Sequence, residues 1–482
     1  MSKIFPLIDH LYIYQLFEYN SLDFLKWFVK YPFKRNLQRK HTLVWTSKAK
    51  LLTVISLILI FAESLRVSFK ISGEFWLTPL TFFIVAFFSP FFLIISKILI
   101  WPLEYYQRQK ILAAAKSKLE KLPNLKVVGI TGSYGKTSTK DILYTLLWKK
   151  FRVVKTPKSF NTPLGVTNTL IEDVKDNTDI FIAEIGAYKR GEIKNIAKLV
   201  KPTIGIITAI SPQHLERFGS LENIAKAKFE LVESLPKNGL AILNGESELL
   251  VKLSNTHFHP PGGRTIFYGR SGDKYFVTDI KSTDHGSTFL MHTPKGKIQV
   301  EIPLVGEHHI KNFLAASAAA LNLGLTLNEI QQRTLKLLPT SHRMEIKQIG
   351  NIILIDNSYN TNPESAKSSL DLLNSYDTRK IVITPGFVEL GREAPEANRQ
   401  FGEEIACMAD EVIIIGENAK EDLLEGINKV WPDEPEYSTH LVQTTNEALI
   451  LAQKLAADFM EISGRNDPTA VLLENDLPDQ YF

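Results

Sequence analysis

The sequence KVVGITGSYGKTSTKDILYTLL, residues 126–147, joins a predicted strand to a predicted helix through a glycine-containing loop. The apolar run at 127–130 is typical of a short buried strand. Apolar side chains recur at helical spacing after the loop, at Ile142, Leu143, Leu146 and Leu147. A buried strand that leads directly into a helix is typical of an α/β domain with a parallel sheet, so this stretch decides the predicted fold class.

The loop itself predicts a phosphate-binding site. Gly132 and Gly135 allow the backbone to wrap around a phosphate group, and amides at the helix N-terminus point toward its oxygens. Lys136 supplies a cation for the terminal phosphates, and the Thr137 hydroxyl can ligate Mg²⁺. Counted from Gly132, the loop is one residue shorter than GxxxxGK[ST]. The flanking strand and helix favour nucleotide binding over the alternative, a glycine-rich turn with a surface lysine.

Length and composition are those of an ordinary folded protein. The 482 residues predict about three domains. A net charge of +4, with 22% charged residues, does not indicate nucleic-acid binding. Cys407 is the only cysteine, so the sequence excludes an internal disulfide and a cysteine-based zinc site.

Two apolar runs predict a membrane hairpin within an N-terminal helical segment, residues 1–122. The spans are expected at about residues 51–70 and 76–101, because about 20 apolar residues cross a bilayer. Basic residues crowd before the first run and after the second, and the loop between them is charge-balanced. The positive-inside rule then puts both ends, and the catalytic domains, on the cytoplasmic side of the cell membrane. The alternative is a buried or interfacial helical pair.

Strand and helix patterns alternate from residue 125, which predicts a mostly parallel sheet. One strand pattern, DIFIAEI, delivers Glu184 to its C-terminal end, and another, TIGIITAI, is followed by His214. Ligands bind at the C-terminal strand ends of such sheets. A carboxylate and an imidazole there predict a metal pair. Taken singly, each residue is better explained as structural.

Ordered motifs between about residues 125 and 430 resemble the Mur ligases. They are GSYGKTS (132–138), SFNTPLG (159–165), AEIGAYKRGEI (183–193), SPQHLERFGSLENIAKAKFE (211–230), GEHHIKNFLAA (306–316), SHRME (341–345) and DNSYNTNP (356–363). Within the family, the branch that adds D-alanyl-D-alanine to a UDP-muramoyl peptide is the most similar. The SYNTNP segment and an ELG run at 389–391 favour that branch.

The resemblance implies that ATP phosphorylates a substrate carboxylate and that an amine then attacks the acyl phosphate to form an amide. It implies ATP and Mg²⁺ as cofactors. The residues implied are Lys136, Glu184, His214 and Lys228 in catalysis; Gly132, Ser133, Tyr134, Gly135, Lys136, Thr137, Ser138, Asn312, Arg343 and Asp356 in ATP binding; Thr137, Glu184, His214 and, if carbamylated, Lys228 in metal binding; and Asn161, Ser358, Asn360 and Asn362 in substrate binding. The alternative for Lys228 is a solvated lysine on a helix over 221–234.

The expected fold is α/β, with a helical membrane hairpin before two domains. The first is a P-loop central ATP-binding domain at 123–340 with a mostly parallel sheet, including a small β-ribbon at 264–304. The second is a Rossmann-like C-terminal domain at 341–482.

Three features depart from the family pattern. Asn357 takes the place of an acidic residue before Ser358, and LLENDLPDQYF (472–482) replaces a Lys-Gly-Ser-Arg-like loop. The third departure is that the apolar hairpin replaces a uridine-binding domain.

The sequence therefore predicts a membrane-bound amide ligase that adds an amino acid or dipeptide to a cell-wall peptidoglycan precursor. The acceptor is UDP-linked or lipid-linked. Two alternatives remain, another ligase of the superfamily of the polyglutamate or cyanophycin type, and an inactive membrane-anchored nucleotide-binding scaffold.

Overall fold

The computed structural model describes residues 6–17, 19–32, 43–212, 215–256, 263–283, 286–359, 361–388, 390–432, 438–464 and 467–475. The described residues up to Lys110 form one compact unit, and those from Ile111 onward form a second. Each unit has its own hydrophobic core.

The described part of the first unit is helical. Its helices are α1 Leu7–Leu16, α2 Ser21–Lys30, α3 Ser47–Ser72, α4 Thr78–Phe87 and α5 Ser89–Lys121, the last of which continues beyond the unit. Hydroxyl side chains join helices in its interior: the Oγ atoms of Ser56 and Ser96 lie 2.9 Å apart. His10 Nδ1 lies 2.7 Å from Ser89 Oγ, which ties α1 to the start of α5.

The second apolar run is not one helix. α4 ends at Phe87, α5 begins at Ser89, and the two are bent by 79°. Pro90 accounts for the break, because it has no N–H to donate to the carbonyl four residues earlier, so α4 cannot continue through it, whereas proline suits the first turn of a new helix. The predicted span at 76–101 is therefore wrong as a single helix, whereas the first run lies in one continuous helix, α3.

Among the described helices, α3 is long and apolar enough to cross a membrane, and the bent α4–α5 pair qualifies only when counted as one span. Only 28% of the most apolar window of α3 is buried. Many large apolar side chains of this unit are exposed, including Val54, Ile58, Phe61, Phe69, Ile71, Phe75, Trp76, Leu80, Phe83, Ile84, Phe88, Phe91, Ile95, Ile98, Leu99 and Trp101.

A nine-stranded sheet organises the second unit up to residue 340. Its strands are β1 Lys126–Thr131, β2 Val153–Lys155, β3 Ile180–Glu184, β4 Ile204–Ile207, β5 Leu240–Asn244, β6 Arg264–Gly269, β7 Tyr275–Thr283, β8 Gly286–Thr293 and β9 Gly296–Ile302. The order is β2-β3-β1-β4-β5-β6-β7-β8-β9, parallel as far as β7. β8 is antiparallel to β7 and to β9, and these three strands form a ribbon as predicted, whereas β6, at the start of the predicted 264–304 region, pairs in parallel with β5 and β7.

Helices cover this sheet. They are α6 Lys136–Leu147, α7 Pro163–Glu172, α8 Glu192–Val200, α9 Leu215–Phe218, α10 Leu221–Glu233, α11 Glu248–Thr256, α12 Glu307–Asn322 and α13 Leu327–Thr334. The long alanine-rich helix α12 packs beside α6 in the main core, where both contribute fully buried side chains. This packing brings Asn312 on α12 next to the loop that precedes α6.

A second, six-stranded sheet follows. Its strands are β10 Glu345–Ile349, β11 Ile352–Asn357, β12 Lys380–Thr384, β13 Glu411–Ile415, β14 Thr439–Val442 and β15 Thr469–Glu474. The order is β10-β11-β15-β12-β13-β14, and only the β10–β11 pairing is antiparallel. Its helices are α14 Pro363–Asn374, α15 Ala394–Ala406, α16 Lys420–Val430 and α17 Thr445–Ser463, with a short 3-10 helix at Gly391–Glu393. The α/β class predicted for both regions is confirmed.

The sheet order places the phosphate loop beside Glu184. β1 lies between β3 and β4, and Ile130 near the end of β1 is in register with Glu184 at the end of β3. The carboxyl ends of these parallel strands meet at one edge of the sheet, where ligands of open α/β sheets bind.

Candidate active site

The loop between β1 and α6 has the backbone that a phosphate cradle needs. Gly132 has φ +153° and Gly135 has φ +78°, conformations that favour glycine. A Cβ atom on Gly132 would collide with Thr208 Oγ1, and one on Gly135 would collide with Asn312 Oδ1. Both glycines are therefore required by space as well as by backbone conformation.

Lys136 folds back over this loop. Its Nζ donates to the carbonyl oxygens of Gly132, at 2.7 Å, and Ser133, at 2.9 Å. Burial lowers the pKa of Lys136 to about 8, and the nearby charge of Arg343 also lowers it. A phosphate group in the cradle would offer this ammonium the counter-charge that carbonyl oxygens lack, so the loop fits the triphosphate that the sequence predicted.

Glu184 lies at the centre of a buried polar cluster. Lys140 Nζ is 3.0 Å from Glu184 Oε2, and both side chains are 1% exposed. Asn161 Nδ2 donates to Glu184 Oε1 at 3.3 Å, and Lys140 also donates to the carbonyl oxygen of Lys158. The predicted substrate residue Asn161 and the predicted metal ligand Glu184 are thus in contact.

Lys140 is a residue that the sequence reasoning missed. A signal was present, because Lys140 follows Lys136 by four positions and the two therefore share a face of α6. The alternating pattern also placed Glu184 at a strand end, but it gave no indication that a buried lysine would pair with that carboxylate.

Lys228 lies on α10 and is 4% exposed, so the alternative of a solvated lysine is wrong. Burial lowers its pKa well below the ordinary value, and the charge of Lys136 adds to that effect. Within the described part of the chain, no carboxylate pairs with Lys228. An uncharged amine is the form of lysine that this environment favours.

The predicted metal set can be tested only in part. His214 lies outside the described residues, as does the predicted substrate residue Asn360. No group of three His, Cys, Asp or Glu side chains suited to a metal occurs among the residues that the structure describes. The Glu184 carboxylate and the buried Thr137 hydroxyl are oxygen donors of the kind that Mg²⁺ prefers, so they fit this ion.

Residues of the second sheet region close over the phosphate loop. Arg343 Nη2 donates to Thr137 Oγ1 at 3.2 Å, and the Arg343 guanidinium lies 4.4 Å from the centre of the Tyr359 ring. Tyr134 in the loop bonds to the Glu364 side chain, and burial raises the pKa of Tyr134. Arg343, which the resemblance predicts to reach the nucleotide when the C-terminal domain closes, therefore lies against the phosphate loop.

A cavity of about 40 Å³ lies at this contact. The nine-stranded sheet region, with the phosphate loop and α12, forms one of its walls, and the six-stranded sheet region forms the other. The cavity is lined by Tyr134, Gly135, Ser138, His308, Asn312, Arg343, Met344, Asn357, Tyr359 and Ser365. The volume suits about one water molecule, so a nucleoside would enter only after the walls separate. The predicted adenine residue Asn312 lines the cavity and accepts a hydrogen bond from Thr139 Oγ1 at 3.2 Å.

Two neighbouring histidines were not assigned from the sequence. The rings of His308 and His309 lie 4.1 Å apart, and neither Nδ1 has a hydrogen-bond partner in the described structure. Burial lowers the pKa of His308 well below its ordinary value and that of His309 to about 4. Both rings are therefore neutral at physiological pH, and His308 lines the cavity.

Three other predicted residues are engaged elsewhere. Asp356 accepts from Ser358 Oγ at 2.7 Å and lies 2.8 Å from His342 Nδ1, and it is not among the residues that line the cavity. Burial alone would raise the pKa of Asp356, but the Ser358 hydrogen bond and the nearby His342 lower it. Asn362 caps α14 by accepting from two backbone amides. The structure thus gives local partners to Asp356, Ser358 and Asn362.

Two of the departures seen in the sequence meet in space. Asn357 at the end of β11 is in register with Glu474 at the end of β15. Asn357 Nδ2 lies 3.0 Å from each carboxylate oxygen of Glu474. The residue that replaces an acid is therefore paired with an acid from the unusual C-terminal segment.

Two family models match the chain. The Mur ligase middle domain matches residues 130–320, and the glutamate ligase domain of Mur ligases matches residues 342–463. Together they cover most of the nine-stranded sheet region and most of the six-stranded one.

Curated relatives are also similar. The UDP-N-acetylmuramoyl-tripeptide–D-alanyl-D-alanine ligase of Haemophilus influenzae is 32% identical over 338 residues, which are 68% of this chain and 72% of the relative. The enzyme of that name from Escherichia coli is 31% identical over 299 residues, 61% of this chain and 65% of the relative. The match to the second relative thus leaves about a third of its length uncovered.

A solved structure supports the same relationship. MurF from Acinetobacter baumannii superposes with a TM-score of 0.68 and 26% identity, and the match covers 77% of each chain. The similarity thus extends from sequence motifs to the arrangement of both sheets.

Proposed function

The chain belongs to the Mur ligase family, whose members are ATP-dependent ligases that form carbon–nitrogen bonds, and we propose that it adds an amino acid or a dipeptide to a peptidoglycan precursor. The names of the relatives describe ligases that join D-alanyl-D-alanine to a UDP-N-acetylmuramoyl tripeptide. We propose a similar pair of substrates for this chain. The observation that carries the proposal is the buried cluster of Lys140, Glu184 and Asn161 beside the phosphate loop.

The proposed reaction has two steps. An oxygen of the acceptor carboxylate attacks the terminal phosphorus of ATP, and ADP leaves, which gives an acyl phosphate. The amine nitrogen then attacks the acyl carbon, phosphate leaves, and the nitrogen loses a proton to give the amide. Lys136 and Arg343 supply positive charge where negative charge gathers in the first step. Closure of the second sheet region over the loop would exclude water from the acyl phosphate.

Magnesium, when bound, would neutralise phosphate oxygens in this reaction. We propose that Thr137 and Glu184 hold it, together with His214 and a carbamylated Lys228. Lys228 is buried and has no carboxylate partner among the described residues, which supports a neutral amine that can attack carbon dioxide. The nitrogen–carbon bond forms as the nitrogen loses a proton, and an anionic carbamate results.

Lys228 has a direct test. The protein is equilibrated with ¹³C-bicarbonate, and a carbamate carbon signal is expected in the wild type and not in Lys228→Ala. Acceptor-dependent ADP release should fall in the same variant. Release at the wild-type rate would remove Lys228 from the mechanism.

The domain layout is also proposed. We place the central ATP-binding domain at 123–340 and the C-terminal domain at 341–482, and the two family matches support these bounds. Residues 1–122 are proposed as an N-terminal helical membrane segment, with α3 as one span and the bent α4–α5 pair as the return. The exposed apolar side chains of α3, α4 and α5 support contact with lipid.

In this arrangement the protein is a multi-pass protein of the cell membrane with its catalytic domains on the cytoplasmic side. A membrane segment in place of a uridine-binding domain favours a lipid-linked acceptor. Full-length protein in lipid nanodiscs would be offered a UDP-linked acceptor and its polyprenyl-linked counterpart. Faster turnover of the polyprenyl-linked acceptor is expected, and equal turnover of both would contradict a lipid-linked acceptor.

Mass spectrometry of the product tests the reaction itself. The enzyme is given ATP, an acceptor and a panel of amino acids and dipeptides. The expected product carries D-alanyl-D-alanine, with one ADP released for each amide formed. Repeated addition of glutamate would favour a polyglutamate-type ligase. A protein that binds ATP but forms no product with any amine would instead be a scaffold.

A further inference from the structure

Glu474 is a fully buried carboxylate at the end of the last described strand. Its partners are neutral donors: Asn357 Nδ2 at 3.0 Å from both oxygens, and the hydroxyls of Ser369 and Thr361. No described lysine, arginine or histidine forms an ion pair with it. The Asn357 amide is therefore the one side-chain N–H group, within the described chain, that bonds to this carboxylate.

The carboxylate fixes the orientation of that amide. Above about pH 7, the pKa to which burial raises Glu474, the carboxylate is ionised and only accepts hydrogen bonds, so it faces the Nδ2 end of Asn357. The flipped amide would bring Oδ1 against two carboxylate oxygens and lose both hydrogen bonds. Because Nδ2 is held by Glu474, Oδ1 is the end that remains available to other partners.

The residue that carries this available Oδ1 atom borders a cavity. Asn357 lines the cavity beside the phosphate loop, together with Tyr134 and Arg343. Asn357 is 8% exposed, and no described residue donates a hydrogen bond to its Oδ1. The cavity thus contains a hydrogen-bond acceptor that is free and fixed in orientation.

We propose that Glu474 is a positioning residue that holds the Asn357 amide with Oδ1 toward the cavity. Held in this way, the Oδ1 acceptor selects a ligand group that donates a hydrogen bond. This inference rests on the proposed function, because it assigns the cavity to the nucleoside of ATP. The sugar follows the phosphates directly in ATP, and the cavity begins at loop residues Tyr134 and Gly135. The donor is therefore a hydroxyl of the ribose.

The test compares ATP with 2′-deoxy-ATP and 3′-deoxy-ATP by calorimetric titration of the full-length protein at about pH 8, where Glu474 is ionised. One deoxy analogue is expected to bind about fivefold more weakly than ATP, the effect of about one neutral hydrogen bond. In Glu474→Gln the new amide can accept or donate, so both orientations of Asn357 become available. The ratio of the affinity for ATP to the affinity for that deoxy analogue should fall below about twofold, while ATP still binds.

A swapped pair guards against a folding defect. In Asn357→Asp/Glu474→Gln the donor moves to residue 474 and an acceptor still faces the cavity, so discrimination of about fivefold should return. Ser369→Ala is the matched control: it removes another donor to Glu474 but leaves the Asn357 contact, and discrimination should be unchanged.

The outcomes separate this inference from the proposed function. A wild-type protein that binds no ATP would overturn both. If the protein binds ATP and both deoxy analogues with the same affinity, only the inference is overturned. Full discrimination in Glu474→Gln, or none in the swapped pair, would also overturn it while the nucleotide site stands.

Discussion

The two walls of the candidate active site are held together in different ways. The wall on the nine-stranded sheet is built around charges that already have partners: Lys136 bonds to loop carbonyls, and Lys140 is paired with Glu184. The wall on the six-stranded sheet presents a group with spare hydrogen-bonding capacity, the Asn357 Oδ1 atom. The first wall is preorganised, and the second is ready to accept a ligand.

The walls also differ in how far apart their partners lie in sequence. Lys136 contacts carbonyls three and four residues away, and Lys140 reaches Glu184 across 44 residues. Asn357 and Glu474 are 117 residues apart, and Arg343 and Thr137 are 206 apart. If the two sheet regions separate to admit ATP, the contacts within the first wall would persist, whereas the contact of Arg343 with Thr137 would be lost.

Lys140→Met should have the largest effect, because it breaks the preorganised wall. It leaves the Glu184 carboxylate buried without its cation, which typically costs about 3–5 kcal/mol of stability. Urea unfolding measures the loss. Lys140→Met/Glu184→Gln removes the charge from both partners and should recover most of that stability. Equal losses in the single and double variants would show that the pair is not the source.

Lys136→Ala should reduce ADP formation by about 10²–10³-fold, the usual effect of removing one preorganised charge stabiliser. The fold should persist, because Lys136 forms no ion pair among the described residues and its removal leaves no buried charge without a partner. The matched control is Lys150→Ala, which removes a surface lysine paired with Glu329. Initial rates at saturating ATP give the comparison, and similar rates for both variants would contradict a special role for Lys136.

The preorganised wall is also the wall that sequence could predict. The spacing of Gly132, Gly135 and Lys136 predicted the phosphate-binding loop, and an apolar strand pattern predicted Glu184 at the end of a strand. Lys140 was missed because its role depends on burial, which a helical pattern of mixed polarity does not reveal. The proline in the SPFF sequence (89–92) was a clear local signal for the break. The prediction of one span at 76–101 followed the length of the apolar run instead of this signal.

The second wall was less predictable. The replacement of an acid by Asn357 and the unusual C-terminal segment were both visible in the sequence, but as separate departures. Only the parallel pairing of β11 with β15 brings them together. Strand order in a parallel sheet depends on crossover connections, so no local pattern could have joined residues 357 and 474.

The second wall should also be sensitive to pH through Glu474. Burial raises the pKa of Glu474 to about 7, from an ordinary value of 4.5, and this outweighs its three hydrogen bonds. The folded state then binds the proton more tightly than the unfolded state. The stabilisation is complete below about pH 4.5 and is lost as the pH rises through about 7.

The free energy of unfolding should therefore fall by about 3 kcal/mol across this range, since a tenfold change in proton affinity is about 1.4 kcal/mol. Glu474→Gln has no proton to lose at this position. The difference in unfolding free energy between the wild type and Glu474→Gln isolates the effect, because other groups titrate in both proteins. A difference that is constant between pH 4.5 and 8 would contradict the raised pKa.

Arg343→Lys should give the smallest effect and is the most direct test of closure. Lysine keeps the positive charge but lacks the planar guanidinium that donates to Thr137 and stacks on Tyr359. Because these contacts join the two walls, kcat should fall about tenfold, while the KM for ATP, set largely by the preorganised wall, should change less. Arg399→Lys, on a surface ion pair with Glu396, serves as the control. A rise in KM with kcat unchanged would mean that Arg343 binds ATP equally before and during the reaction, and that closure does not depend on it.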